Sequence, residues 1–523
     1  MYADLVLTNA NILTMNRSKP HAQAIAIKDD RIIGVGTNQE IKPYVRRSTK
    51  TIDLKEKTVI PGFIDTHVHL TAFGKLLGQI NLRGTGSIKE IQEKLRKQVQ
   101  KMPKGQWILG RGWDQDRLKE ERYPTRWDLD KVSPDNPVVL TRVCGHLCVA
   151  NSQALQIASI TKETISPPTG QIDKNPETDE PTGILREDAM ALIWKMTPEP
   201  NEEQLTEACS LACRKAVETG LTSIHWLINT PTEIHIIQNL HRQKKLLLRV
   251  YIITPLKLLS HLTKLGLYTG FGDNRIRIGS IKIFSDGSLG ARTAALSQPY
   301  HDKPTRKGIM LHSVEELSRL ATKAHKANLQ LAIHAIGDQA IDAVLTVLEK
   351  TVREAPRKNH RHRIEHASVL NRKLIPRMKR LNVIASIQPH FIISDFWVAN
   401  RVGSTRARWV YPFRTLIQND ISVSGGSDCP IEPIDPLLGI WAAVARKVCP
   451  EERITVDDAL RLYTTNAAYA SFEESIKGSI EVGKLADFIV LSHDPYEISP
   501  DKIRDTKVEM TVIGGRAVFV RQG

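Results

Sequence analysis

No stretch of this chain approaches the ~18 uninterrupted apolar residues that a membrane-spanning helix needs, so no membrane segment is expected. The opening stretch, Met1 to Met15, has no basic n-region and no apolar h-region, so no signal peptide is expected. Cysteine is scarce, with six residues scattered along the chain. Cys144/Cys148 and Cys209/Cys213 each enclose three residues, a poor match to the two-residue zinc knuckle. They read as reduced, mostly buried thiols, which suits a cytoplasmic protein. Internal repeats and long low-complexity tracts are missing, as is any RNA- or DNA-binding motif. The net charge is +16, but the basic residues are spread out and no aromatics interleave them. Even the densest run, Arg357 to Arg363, sits directly before an apolar strand. This reads as a solvated basic surface rather than a nucleic-acid interface.

What is present fits a soluble globular protein: 41% hydrophobic and 25% charged residues. A chain of 523 residues exceeds one ordinary domain, so one large domain with accessories is expected. Both ends look β-rich. Asp4–Leu7, Ile12–Thr14, Ala22–Lys28 and Arg31–Gly36 are short apolar or alternating runs, with Asp29-Asp30 as a turn. Asp487–Leu491, Lys507–Ile513 and Arg516–Val520 repeat the style, with Gly514-Gly515 as a hairpin turn. Residues 1–60 and 472–523 are therefore expected to form a small composite β-sandwich.

The middle, residues 61–471, has a β/α cadence. Apolar runs at Val59–Thr66, Leu221–Trp226, Leu248–Ile253, Ile278–Phe284, Leu329–Ala335, Arg363–His366, Val383–Gln388 and Ile421–Gly425 alternate with helical patterns. Asn201–Thr219 is amphipathic, with an Asn201 cap and a Gly220 stop. Ser313-Val314-Glu315-Glu316 is a capping box, and Thr455–Ala470 reads as a further helix. Eight strands in this alternation predict an α/β architecture, a (β/α)8 TIM-like barrel. About 150 residues separate the first two strands, too many for a plain loop. An inserted subdomain or lid at about 73–200 is expected, on the face where barrel active sites sit.

Side chains alternate along a strand, so i and i+2 share a face. In Asp65-Thr66-His67-Val68-His69 both imidazoles point the same way at the end of an apolar strand, an arrangement suited to a divalent metal. Alone, this pair is weak evidence. However, His334 and His366 end later strands, Asp428 follows Gly425-Gly426-Ser427, and Lys282 interrupts an otherwise apolar strand. A histidine at a strand end, a buried lysine or an aspartate after glycines each has an ordinary structural use. Together, at the C-terminal ends of one barrel, they point to a metal site.

These stretches resemble the amidohydrolase superfamily, in the branch similar to N-substituted formamide deformylase. The resemblance rests on Val59 to His69, Lys282-Ile283-Phe284-Ser285-Asp286-Gly287-Ser288-Leu289-Gly290-Ala291-Arg292, Ala332 to Asp338, Arg363 to Ala367, Gly426-Ser427-Asp428 and the tail from Gly478 to Phe488. It implies one or two divalent metal ions, most simply zinc. His67, His69 and Asp428 would hold the more buried ion and His334 and His366 the second. Lys282 would be N6-carboxylated and bridge the two; an unmodified Lys282 beside a single ion is the alternative. Carboxylation needs a neutral amine, which burial favours. A bound ion brings the pKa of water from 15.7 to about 7, giving metal-bound hydroxide as nucleophile, and Asp428 is the expected catalytic proton carrier.

The implied activity is hydrolysis of a non-peptide C–N bond (amide, N-formyl or N-acyl) in a small molecule. A metal-dependent deaminase and a noncatalytic relative are the alternatives. Trp113, His146, Arg292 and His390 are expected to line the substrate pocket. His225 is equally a packed histidine or part of the site, and a nucleophilic role for Cys429 is disfavoured. A homodimer is compatible with the sequence; nucleic-acid and membrane partners are not expected.

Overall fold

The computed structural model describes residues 1–522. The chain divides into two compact units, Met1–Ala72 with the chain from Ala212 onward, and Phe73–Leu211. Among the described residues, no helix is long and apolar enough to cross a membrane. Cys148, Cys209, Cys213 and Cys429 are buried.

The first unit contains an eight-stranded sheet with barrel order: Phe63–Val68, Leu221–Leu227, Arg249–Pro255, Ile276–Phe284, Gln330–Ala335, Arg363–His366, Ile384–Ile387 and Ser422–Gly425, each paired in parallel with the next. Helices such as Pro231–Arg242, Val314–Lys326 and Asp338–Glu354 connect them. The TIM-like barrel expected from the β/α cadence is thus observed. Its closing seam lies between the first and eighth strands. Thr66 Oγ1 donates to Gly425 O at 2.9 Å, Asp428 N to His67 O at 2.7 Å and His69 N to Cys429 O at 2.9 Å. Closing the barrel therefore brings the His67-Val68-His69 segment beside Asp428.

The same unit holds two further sheets, one of four strands and one of six, the latter joining three strands from the end of the chain to three from its beginning. Leu7, Ile25 and Ile27 share one buried cluster with Val59, Phe488, Val490 and Val512. The run read as one strand, Val59–Thr66, is in fact two. Thr58–Pro61 belongs to the six-stranded sheet and Phe63–Val68 to the barrel. The break is Gly62, where a Cβ would lie 2.1 Å from Thr222 Cγ2, so only glycine lets the backbone cross here.

The second unit has a six-stranded sheet built on Ile108–Trp113, Val138–Arg142, Leu147–Ala150 and Pro181–Glu187. Alternation along its strands feeds two cores. Val138, Leu140, Leu147 and Val149 enter one, and Val139, Cys148, Ala150 and Leu185 the other.

Candidate metal centre

His67 is buried on the first barrel strand. Its Nε2 lies 3.4 Å from Asp428 Oδ1, and His69 Nε2 lies 3.2 Å from the same oxygen. The ligand-capable atoms of His67, His69 and Asp428 all fall within 4.8 Å of one another. Asp428 reaches them because the chain after the eighth strand passes very close to the first. A Cβ on Gly426 would sit 2.7 Å from His67 N, and Asp428 itself takes φ +57°. Asp65 ties the seam from beneath, its Oδ1 accepting from His67 N at 2.9 Å and Ser427 N at 3.0 Å. Burial pushes its carboxyl up to about 6.

The other strand ends converge on the same place. The His366 ring lies 5.1 Å from that of His67 and 4.5 Å from that of His334. Strict alternation would send His366 and Glu365 to opposite faces. His366 escapes it with φ +73° at the end of its strand. Lys282, on the opposite face of its strand from Ile281 and Ile283, places Nζ 3.3 Å from His67 Nε2. Burial draws the Lys282 amine down to about 8, although Glu365 and Asp428 pull the other way.

Hydrogen bonds fix which imidazole nitrogens carry protons. The His67 Nδ1–H donates to the Glu365 carboxylate, leaving Nε2 a bare acceptor. His366 Nδ1–H donates to Gln388 Oε1 at 2.6 Å, again leaving Nε2 bare. His334 Nε2–H donates to Gly287 O at 3.0 Å, and its Nδ1 is buried without a partner. Burial holds all three imidazoles well down, His334 at about 3, so they stay neutral with their lone pairs available. Unprotonated nitrogens on neighbouring buried rings, with the Asp428 carboxylate beside His67, suit a cation.

The remaining expected residues separate. His390 pairs through Nδ1 with the buried Glu432 and faces Trp441 at 6.5 Å between ring centres. His146 pairs with Glu187 at 2.9 Å and lines a cavity of about 640 Å3 within the second unit, with Arg142, Cys144 and Arg186. Trp113 does not line a pocket. It is fully buried in the core of the second unit, and its indole N–H is satisfied by Leu140 O at 2.8 Å. Arg292 is likewise committed elsewhere, to Asp302 at 2.8 Å, an aspartate that also holds Arg401. His225 packs on Tyr251 and accepts from Arg363 at 2.8 Å. Burial raises the Cys429 thiol far above its usual range, so it stays protonated.

Sequence reasoning missed Glu365, Arg363, Gln388 and Asp286. Asp286, buried, accepts from Ile336 N, Gly337 N and Ala295 N at 2.8–3.0 Å and joins the turns after the fourth and fifth strands. The visible signal was Arg363-Ile364-Glu365, two opposite charges on one face of a buried strand.

A model of the amidohydrolase family matches residues 50–519. The Bacillus subtilis (strain 168) protein YtcJ, whose name assigns it only provisionally to the amidohydrolases, is 36% identical over 527 residues, covering 97% of this chain and 98% of its own. The N-substituted formamide deformylase of Arthrobacter pascens is 30% identical over 544 residues, covering 99% of each chain. The crystal structure of an uncharacterized metal-dependent hydrolase from Pyrococcus furiosus superimposes with a TM-score of 0.79 at 34% identity, covering 94% of this chain and 100% of that one.

Proposed function

Because this chain belongs to the amidohydrolase family, we propose that it is a metal-dependent hydrolase cleaving a non-peptide carbon–nitrogen bond, of the N-formyl or N-acyl amide kind, in a small molecule. One observation carries the reading: the convergence of His67 Nε2, His69 Nε2 and Asp428 Oδ1, with the His366 ring 5.1 Å from that of His67 and 4.5 Å from that of His334. The formamide deformylase among the relatives supports the choice of bond.

In this reading His67, His69 and Asp428 would hold one divalent ion, zinc or another that accepts imidazole and carboxylate donors, and His334 and His366 would hold a second. Lys282 would carry a carboxylate on Nζ as a further anionic ligand; burial draws its amine down to about 8, which supplies the neutral form that adds carbon dioxide with loss of a proton. Such ions supply Lewis acidity and bring the pKa of water from 15.7 to about 7. The chain's own contribution is positioning and proton transfer. Asp428 takes a proton as water adds to the carbonyl carbon and returns it to the leaving nitrogen as the C–N bond breaks.

Two measurements test this. Metal analysis of the purified protein should find one to two equivalents per chain; a folded, active protein without metal would refute the site. A release assay for formate and amine across N-formyl and N-acyl compounds should identify turnover. The Asp428→Asn protein should lose roughly 10²–10⁴-fold in that turnover while keeping its fold and most of its metal. Undiminished turnover would remove Asp428 from proton transfer.

A further inference from the structure

We propose that Arg363 and Glu365 are a positioning pair that locks His67 into the one tautomer and orientation able to bind a metal, and thereby sets the affinity of the site. The inference rests on the metal-centre reading above and concerns residues that touch no substrate.

Arg363 and Glu365 lie two apart on the sixth barrel strand, both fully buried and both facing inward. Their ion pair is bidentate: Arg363 Nε donates to Glu365 Oε1 at 2.8 Å and Nη2 to Oε2 at 3.1 Å. The remaining guanidinium hydrogens reach three other strands. Nη2, whose two hydrogens are shared among three acceptors, also reaches Thr66 O at 2.6 Å and Ser386 Oγ at 3.0 Å, and Nη1 donates to His225 Nδ1 at 2.8 Å. One side chain thus joins the first, second, sixth and seventh strands.

The pair grips His67 at two points. The guanidinium holds the carbonyl of Thr66, the residue directly before it, and the carboxylate takes the Nδ1–H of its ring. An ionised carboxylate can only accept, so it admits only the tautomer with the proton on Nδ1. Nε2, facing His69 and Asp428, is then always the unprotonated nitrogen. A carboxamide in its place could donate as readily as accept, and would admit the opposite tautomer, which cannot ligate through Nε2. Stability alone does not explain the pair. A buried ion pair is often no better than well-packed apolar side chains of the same volume, and barrel interiors are ordinarily filled by such residues. Partners that orient a ligating histidine typically contribute about 10–100-fold to metal affinity.

The test uses the full-length protein, freed of metal by chelation, then titrated with zinc against a competing chelator. Glu365→Gln should bind zinc about 10–100-fold more weakly than wild type. That substitution also strands Arg363 without a counter-charge, so the Arg363→Met/Glu365→Gln double variant separates affinity from folding. It should remain folded, with a cooperative thermal transition in the metal-free state, and lose at least as much affinity as Glu365→Gln. Nitrogen-15 NMR of the metal-free proteins gives a second readout. His67 should be protonated at Nδ1 alone in wild type and at both positions, in exchange, in either variant. Affinity within two-fold of wild type together with an unchanged His67 tautomer would overturn the proposal. A wild type that binds no zinc would refute the metal-centre reading, and the tautomer measurement would still decide the role of the pair.

Discussion

A lysine inside an apolar strand is costly unless its charge is relieved. Lys282 has Ile281 and Ile283 as strand neighbours, and burial brings its amine down to about 8. A substantial neutral fraction therefore exists near neutral pH, and that fraction can add carbon dioxide, trading a cation for an anion that divalent ions stabilise. Native mass spectrometry of the metal-loaded protein should find one carbon dioxide per chain, absent from Lys282→Gln. The variant should also retain at most one metal equivalent. An unmodified Lys282 in fully loaded protein would leave it an ordinary amine beside the metals. Residue type alone is a poorer guide for Trp113 and Arg292. Both carry side chains common in pockets, yet one fills a core and the other is held by Asp302. Only their neighbours distinguish these fates.

Among the elements, the turn entering the sixth barrel strand and the helix Val314–Lys326 together carry a second group of histidines whose protonation the structure dictates. Leu331 N–H donates to His362 Nδ1 at 3.0 Å, so the His362 proton is on Nε2 and donates to His325 Nδ1 at 2.8 Å. His325 in turn donates Nε2–H to Ala355 O at 2.7 Å. His360 stacks on His362 at 4.5 Å and accepts from its backbone N–H at 3.0 Å. Burial, reinforced by the nearby Arg357 cation, holds all three imidazoles below their usual range, His360 at about 4. The folded state thus refuses protons that the unfolded chain accepts below about pH 6.5. The contribution is fully present above that pH and is lost as pH falls toward the folded values. Each such imidazole steepens the decline by up to about 1.4 kcal/mol per pH unit. Urea-unfolding midpoints of the metal-free protein should drop between pH 7 and pH 5. A flat profile would show that the folded cluster takes up protons freely.

For the first unit as a whole, one buried ion pair joins the barrel to the terminal strands. Arg249, on the third barrel strand, donates Nε to Asp487 Oδ2 at 2.6 Å and Nη2 to Oδ1 at 2.9 Å, and Asp487 also accepts from Gly514 N at 2.8 Å. Removing one partner leaves a buried charge uncompensated. Asp487→Ala should therefore lower the unfolding free energy by about 3–5 kcal/mol, read from chemical denaturation, without changing metal stoichiometry. A loss below about 1 kcal/mol would mean that water reaches Arg249 in the folded protein. In the sequence Asp487 stands out only as part of the tail motif from Gly478 to Phe488. Its partner lies 238 positions earlier, a separation that no local pattern reports.

Periodicity by itself determined much of this protein. Apolar runs bounded by turn residues marked all eight barrel strands, because a buried parallel strand must be apolar over several residues. The same alternation put His67 and His69 on one face, and the ends of the strands carried His334, His366 and Asp428. Tertiary structure decided what depends on contact between distant segments. It split Val59–Thr66 at Gly62, because the residues before it pair in the six-stranded sheet and those after it pair in the barrel. It set the proton positions of His67, His334 and His366, because these follow from Glu365, Gly287 and Gln388. Local sequence controls which way a side chain points; what it meets there is known only once the barrel has closed.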